Sequence, residues 1–262
     1  MGQLRRTVGD SAISVRPIAY GPEPDQCGDL YLPSLTGAPL VCLFHGGFWR
    51  MPYGRDQLHP MASELANAGL AVWNLGYRRI GPGGALYPAT LHDVELALAH
   101  IPVLRTRYAQ IHASRLLFLG HSAGGHLAVW AAAKARRHGE SPSAAIGLAP
   151  ILDLVAAANA DLGNGAVQAF LGGAPAAVPE RYATASPAAL LPLGIQQWVF
   201  HGEADADVPA ALSRAYVAKA VAAGDPVSLV TLPGVDHMTL IDPSSPAFHA
   251  VRQRVLAAVN VP

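Results

Sequence analysis

Eight short apolar runs, most separated by longer amphipathic segments, constrain this chain more than any other feature. The runs are Ala12–Ala19, Asp29–Leu32, Leu40–Phe44, Ala71–Leu75, Leu116–Leu119, Ala144–Leu148, Gln197–Phe200 and Val227–Thr231. Between them, helical spacing is expected over Asp56–Ala68, Leu86–Arg107, Ala123–His138, Pro209–Ala223 and Pro246–Asn260. In the second helix Leu91, Val94, Leu98 and Ile101 form the stripe, with Asp93, Glu95 and Arg105 off it. Strands that read as continuous apolar runs are buried on both faces, which implies a mostly parallel sheet covered by helices on either side. The class is α/β, with eight strands in one domain spanning 1–262. Pro22, Pro24, Pro33 and Pro39 punctuate the opening, so the first strands are expected as an antiparallel edge. Periodicity fails between Asp153 and Pro187, where five of the residues are Gly163, Gly165, Gly172, Gly173 and Pro175. An irregular insertion of that length in a compact domain is usually functional, and a small cap over about 153–187 is expected.

Composition narrows the partners. Eighteen basic and eighteen acidic residues cancel, and no run of like charge appears. Nucleic acid and anionic membranes need a concentrated basic face, so neither is expected as a partner. A small, largely uncharged molecule fits better, and the chain is read as a monomer or homodimer. Val8–Ser11 stands where a secretory leader would need an apolar core. No apolar stretch reaches membrane-spanning length, because Asp153 interrupts the longest, around Ala144–Ala158. Cys27 and Cys42 are the only cysteines, and a chain with a large core has little need of a bridge. A cytoplasmic protein with reduced thiols is expected, with Cys42 as a small core residue.

Gly120-His121-Ser122-Ala123-Gly124 fits G-x-S-x-G. The pentapeptide alone is a weak signal, since a Gly-rich turn with an N-capping serine would look the same. Its setting strengthens it: it follows the Leu116–Leu119 strand and opens a helix, the context a nucleophile elbow requires. There a strained turn lifts the serine hydroxyl clear of the main chain, and Gly at both flanks avoids collision with neighbouring elements. The Ala123 N–H then faces a developing oxyanion at the helix start. His45-Gly46-Gly47-Phe48-Trp49 follows the Leu40–Phe44 strand, and its glycines let backbone N–H groups turn inward. Gly47 and Phe48 are the expected donors alongside Ala123. Phe48 and Trp49 either wall the substrate pocket or belong to the core. His121 is a further pocket candidate, and His45 is read as a brace for the loop.

A serine hydroxyl needs a base, and the base needs a group that fixes its tautomer. Beyond the elbow, His201-Gly202-Glu203-Ala204-Asp205-Ala206-Asp207 supplies three carboxylates after a strand. Asp205 is the chosen acid and Asp207 the second choice; Glu203 lies too close to the strand. His237 follows the last strand and is the base by position, because His201 abuts the acid strand and His249 falls inside a helix. No metal site is expected, since no H-E-x-x-H or paired C-x-x-C spacing exists, and no cofactor is expected either.

These residues resemble the α/β-hydrolases related to kynurenine formamidase and to small bacterial carboxylesterases, which share core motifs with prolyl oligopeptidase-type hydrolases. The resemblance runs from about Tyr20 to Asp242. It is carried by Tyr20-Gly21 with Gln26, Asp29–Pro33, His45–Trp49, Gly120–Leu127, His201-Gly202 with Asp205 and Val208-Pro209, and Asp236-His237 ahead of Leu240–Pro243. It implies the α/β-hydrolase fold and an acyl-enzyme on Ser122, with Asp205 and His237 completing a triad. The leading expectation is hydrolysis of a small carboxylic ester; hydrolysis of N-formylkynurenine is the alternative. A non-catalytic binding protein on the same scaffold is the reading from a different class.

Overall fold

The computed structural model describes residues 13–81 and 86–260. The Met1–Ser11 stretch read for a leader, the start of the Ala12–Ala19 run and Pro82–Gly84 lie outside the described residues.

All eight expected strands form, in one sheet. They are β1 (Ser14–Ala19), β2 (Cys27–Leu32), β3 (Ala38–Phe44), β4 (Ala71–Leu75), β5 (Ile111–His121), β6 (Ala144–Leu148), β7 (Gln197–Gly202) and β8 (Val227–Leu232). The helices are α1 (His59–Asn67), α2 (Ala89–Arg107), α3 (Ala123–Ala135), α4 (Leu154–Asn159), α5 (Ala166–Leu171), α6 (Pro179–Ala185), α7 (Ala210–Ala222) and α8 (Pro246–Ala258). Strand order is β1-β2-β4-β3-β5-β6-β7-β8. β1 pairs antiparallel with β2, and β2 antiparallel with β4; every other pairing is parallel. The proline-rich opening is therefore the antiparallel edge that its punctuation implied. Pro39 lies within β3 where the register against β5 shifts between Ala38 and Leu40, a place that tolerates a missing donor.

Successive side chains on a strand point to opposite faces, and the core divides accordingly. Leu40, Cys42, Phe44, Leu116 and Phe118 pack with α2, α3 and α7 on one face. Val41, Leu43, Leu117 and Leu119 pack with α1 and α8 on the other. Helices thus cover both faces. The stripe expected on α2 is buried as read, but Asp93 is buried too, contrary to its placement off the stripe. Its carboxylate accepts from Arg78 Nη2 at 2.6 Å and from Gln26 Nε2 at 2.6 Å, and this pairing is what permits the burial. Cys27 and Cys42 are both unbridged, and Cys42 is buried.

The 153–187 segment folds as three short helices, α4 to α6, where irregular chain was expected. Asp153 caps α4 by accepting from the Ala156 N–H at 3.0 Å. Gly165 and Gly172, both at φ near +70°, bound α5. Among the described residues, no helix is long and apolar enough to cross a membrane.

Candidate active site

Four loops meet at the carboxyl ends of the parallel strands, the edge where open α/β sheets place their sites. They follow β3, β5, β7 and β8, and they carry the residues singled out from sequence.

Ser122 sits between the last residue of β5 and the first of α3. Its backbone is at φ 56°, ψ −123°, a conformation that L-residues adopt only when the surroundings hold them there. What holds it is close approach. A Cβ on Gly120 would stand 2.1 Å from Gly124 O, and one on Gly124 would stand 2.1 Å from Phe44 O. The Ser122 N–H donates to Leu148 O at 2.7 Å, pinning the turn to β6. The side chain makes no capping hydrogen bond to α3, which removes the N-capping alternative for this serine. Ala123 opens α3, so its N–H has no intrahelical acceptor.

The loop after β3 turns tightly. Gly47, Phe48 and Trp49 all have positive φ, at 100°, 51° and 56°. Gly47 is required twice over, because a Cβ there would meet Tyr53 Cβ at 2.3 Å. Among the described residues, the Gly47 and Phe48 N–H groups donate to no protein acceptor. His45 braces the loop as expected: its Nδ1–H donates to Gly46 O at 2.8 Å and its ring stacks on Tyr77 with centroids 4.2 Å apart. Burial pushes its pKa down to about 3, so it stays neutral.

Asp205 and His237, the acid and base expected from sequence, meet. His237 Nδ1 and Asp205 Oδ2 are 2.6 Å apart, and the Asp205 side chain is excluded from solvent. Asp205 Oδ1 accepts from the Asp207 and Val208 N–H groups at 2.9 and 2.8 Å. Burial alone would raise the Asp205 pKa. Hydrogen bonds from His201, His237 and the Val208 N–H outweigh it and hold the carboxyl below the usual range. His201 abuts the acid strand, which in sequence says nothing of the contacts it makes in the fold. Its Nε2–H donates to Val208 O at 2.8 Å and lies 3.4 Å from Asp205 Oδ2, while Nδ1 accepts from the Ser213 hydroxyl at 2.7 Å. Asp207 and Glu203 are exposed and make no hydrogen bond to the His237 ring nitrogens.

Ser122 and His237 line one cavity of about 320 Å³ together with Gly47, Phe48, Tyr53 and His121. Asp207 and Met238 stand at the same cavity. Of Phe48 and Trp49, Phe48 faces it; Trp49 is fully buried and takes the core role instead, stacked on Phe170 with centroids 4.5 Å apart. His121 is buried under His237, with ring centroids 4.4 Å apart. Its Nε2–H donates to His237 O at 2.9 Å, tying the elbow to the histidine loop. Burial first, then the neighbouring His237, pushes its pKa down to about 3. Tyr53 and Met238 in the cavity wall sit in irregular loops with no periodicity to reveal them, and Gln57 lies in a short 3-10 turn, Arg55–Leu58, that gives no sign of facing a cavity.

Among the described residues, the one group of three side chains with metal-ligand chemistry is Asp205, Asp207 and His237, with ligand atoms within 4.8 Å of one another. Two atoms each bound to one metal at about 2.1 Å sit roughly 3 Å or more apart. The 2.6 Å between Nδ1 and Oδ2 is the distance of a charge-assisted hydrogen bond instead.

Known proteins agree with this architecture. A stretch of the chain is 34% identical over 115 residues to the kynurenine formamidase of Danio rerio, covering 42% of this chain and 36% of that protein. The match therefore spans about a third of the length of that relative. A truncated carbohydrate esterase from gut microbiota superposes with a TM-score of 0.78 at 20% identity, covering 96% of this chain and 99% of that one. A bacterial heroin esterase superposes with a TM-score of 0.75 at 23% identity, covering 95% and 84%. At these identities the superpositions establish the α/β-hydrolase fold. The family model described as BD-FAE matches residues 29–219, most of the chain. The chain belongs to the BD-FAE family of α/β-hydrolases.

Proposed function

We propose that this protein is a serine hydrolase that cleaves small carboxylic esters through an acyl-enzyme on Ser122. The observation that carries the reading is the 2.6 Å contact between His237 Nδ1 and a solvent-excluded Asp205, with His237 and Ser122 on one cavity. The anionic carboxylate holds the proton on Nδ1, which leaves Nε2 as the base. His237 takes the Ser122 proton as Oγ attacks the carbonyl carbon. The N–H groups of Gly47, Phe48 and Ala123 stabilise the oxyanion, each donor worth roughly 3 kcal/mol. His237 then protonates the departing alcohol, and a water activated by the same nitrogen releases the acid. No cofactor enters any step.

The 153–187 segment acts as a cap on the single domain. Phe48, Tyr53 and Met238 give the cavity a largely apolar wall, which suits a short acyl ester. The protein is read as cytoplasmic, monomeric or homodimeric, with a small molecule as its partner rather than nucleic acid or a membrane. Similarity to a kynurenine formamidase over 115 residues favours a second reading, hydrolysis of an N-formyl arylamine by the same machinery. The deciding experiment compares kcat/KM for p-nitrophenyl acetate and for N-formylkynurenine, in wild type and in Ser122→Ala. Ester turnover lost in Ser122→Ala supports the serine mechanism. A formamide kcat/KM exceeding the ester value would replace the first reading with the second, and full activity in Ser122→Ala would end both.

A further inference from the structure

Phe48, Trp49 and Arg50 follow the oxyanion glycine directly, and all three are fastened to the 153–187 segment. Arg50 Nη1 donates to Gly163 O at 2.8 Å, and Nη2 donates to Asn164 O at 3.0 Å. The Phe48 ring packs so closely on Gly163 that a Cβ there would stand 2.7 Å from the ring. Trp49 stacks on Phe170 of α5. Its indole Nε1–H donates to His126 Nδ1 at 3.2 Å, and His126 Nε2–H donates to Ala185 O, at the end of α6, at 2.9 Å. Below, the same loop is tied to the body by Ile80 N to Trp49 O at 2.8 Å and Met51 N to Ile80 O at 2.9 Å.

We propose that Arg50 is a positioning residue: its fork onto the Gly163 and Asn164 carbonyls holds the Gly47–Phe48 amides in their inward, left-handed conformation. Phe48 and Trp49 are non-glycine residues at φ 51° and 56°, a conformation that persists only where the surroundings over-determine it. The hydrogen bonds from the body reach Trp49 O and Met51 N but not Phe48, and the Arg50 N–H closes the turn onto Gly47 O at 2.9 Å without tying it to either side. The anchor from the cap reaches Phe48 on one side and Arg50 on the other. Gly163 and Asn164 are themselves left-handed, at φ 61° and 51°, which makes this a loop whose own shape is fixed when the guanidinium engages it. A bidentate guanidinium fixes direction as well as distance. The donor amides therefore depend on where the cap sits, and cap displacement would lower turnover without touching the triad.

The test compares Arg50→Met and Arg50→Lys with Arg181→Met, a control that loosens the cap both internally and where Arg181 lies over the Tyr87 ring, 5.1 Å from its centroid, away from the Phe48–Arg50 loop. Arg181 donates to Leu171 O at 2.8 Å and does not reach the Phe48–Arg50 loop. Two readouts are needed. Amide hydrogen exchange of the 46–52 segment in the free protein is expected to rise in Arg50→Met, partly recover in Arg50→Lys and stay at wild-type levels in Arg181→Met. In ester hydrolysis, kcat is expected to fall on the order of tenfold in Arg50→Met with KM little changed, a fraction of the cost of losing a whole donor. Affinity for a boronic acid mimic of the tetrahedral intermediate is expected to fall in parallel. Unchanged exchange in Arg50→Met, or an equal rise in Arg181→Met, overturns the clamp. Raised exchange with unchanged kcat, or a loss confined to KM, overturns its coupling to the oxyanion site. The kinetic arm rests on the proposed hydrolase reading. If the wild type fails to turn over esters, that reading falls, while the exchange arm still decides the clamp.

Discussion

Asp205 spends one carboxylate oxygen on His237 Nδ1 and the other on the N–H groups of Asp207 and Val208. The side chain is thereby fixed from both ends, and the imidazole inherits its orientation. Asp205→Asn keeps the shape but removes the charge, and an amide nitrogen facing Nδ1 would favour the wrong tautomer. A fall in kcat of about 10³–10⁴ is expected, in line with the loss of an orienting carboxylate in serine triads. Asp207→Asn, which leaves the His237 contact intact, is expected to change kcat by no more than about threefold. Steady-state hydrolysis of p-nitrophenyl acetate checks both, and comparable losses in the two variants would refute the choice of Asp205.

Gly124 faces backbone, not side chain: a methyl group there would stand 2.1 Å from Phe44 O and 2.3 Å from His45 O. Main chain in the middle of a sheet has no room to yield. Gly124→Ala is expected to destabilise the fold by ~3 kcal/mol or more, at the upper end of overpacking costs. Urea denaturation measures this, and a midpoint within error of wild type would show that the elbow is looser than drawn.

Gly47→Ala strikes the proposed oxyanion loop more directly. At φ 100° and with Tyr53 Cβ 2.3 Å from the new methyl, the loop must shift. A loss of about 10² in kcat is expected, the cost of displacing one donor, with KM altered far less. Equal kcat in the variant would remove Gly47 from the donor set.

Three histidines buried as neutral rings couple stability to acid. Burial pushes His45 and His121 down to about 3 and His126 down to about 4, against 6.5 unfolded. Because the unfolded chain binds the protons first, stability is full above pH 6.5 and falls as pH drops towards 4. Each histidine contributes on the order of 1 kcal/mol per pH unit across that window. Asp205 has the opposite starting point, a depressed acid, and its contribution is lost only further down, below its usual value of 3.8. Urea midpoints between pH 7.5 and 4.5 should therefore decline steeply in wild type and less steeply in His126→Gln. Parallel slopes would show that His126 is not held neutral.

Much of this was legible in the residues, and the reasons differ by element. β3 and β6 are seven and five consecutive apolar or small residues, β4 departs from that only at Asn74, all three are buried on both faces, and such runs announce themselves. β5 begins at Ile111, five residues before the expected Leu116, because His112 to Arg115 are solvent-facing and carry no apolar pattern. α2 starts at Ala89 rather than Leu86, behind Pro88, whose ring disfavours helix at Tyr87. The helices of the 153–187 segment are six or seven residues long, too short for a 3.6-residue period to emerge. The Ser122, Asp205 and His237 positions could be read from order along the chain. The contacts of His121 and Arg50 could not, because each reaches a backbone carbonyl more than a hundred residues away that only the folded chain brings near; the bonds of His201 are local, to Val208 O and the Ser213 hydroxyl, but carry no pattern that sequence displays.

The proposed nucleophilic role of Ser122 is tested most directly by reacting the folded protein with a fluorophosphonate and locating the adduct by peptide mass spectrometry. A single adduct on Ser122 is expected, formed rapidly in wild type and far more slowly in Asp205→Asn. Absence of labelling, or an adduct on any other residue, would contradict the assignment of Ser122 as the attacking group.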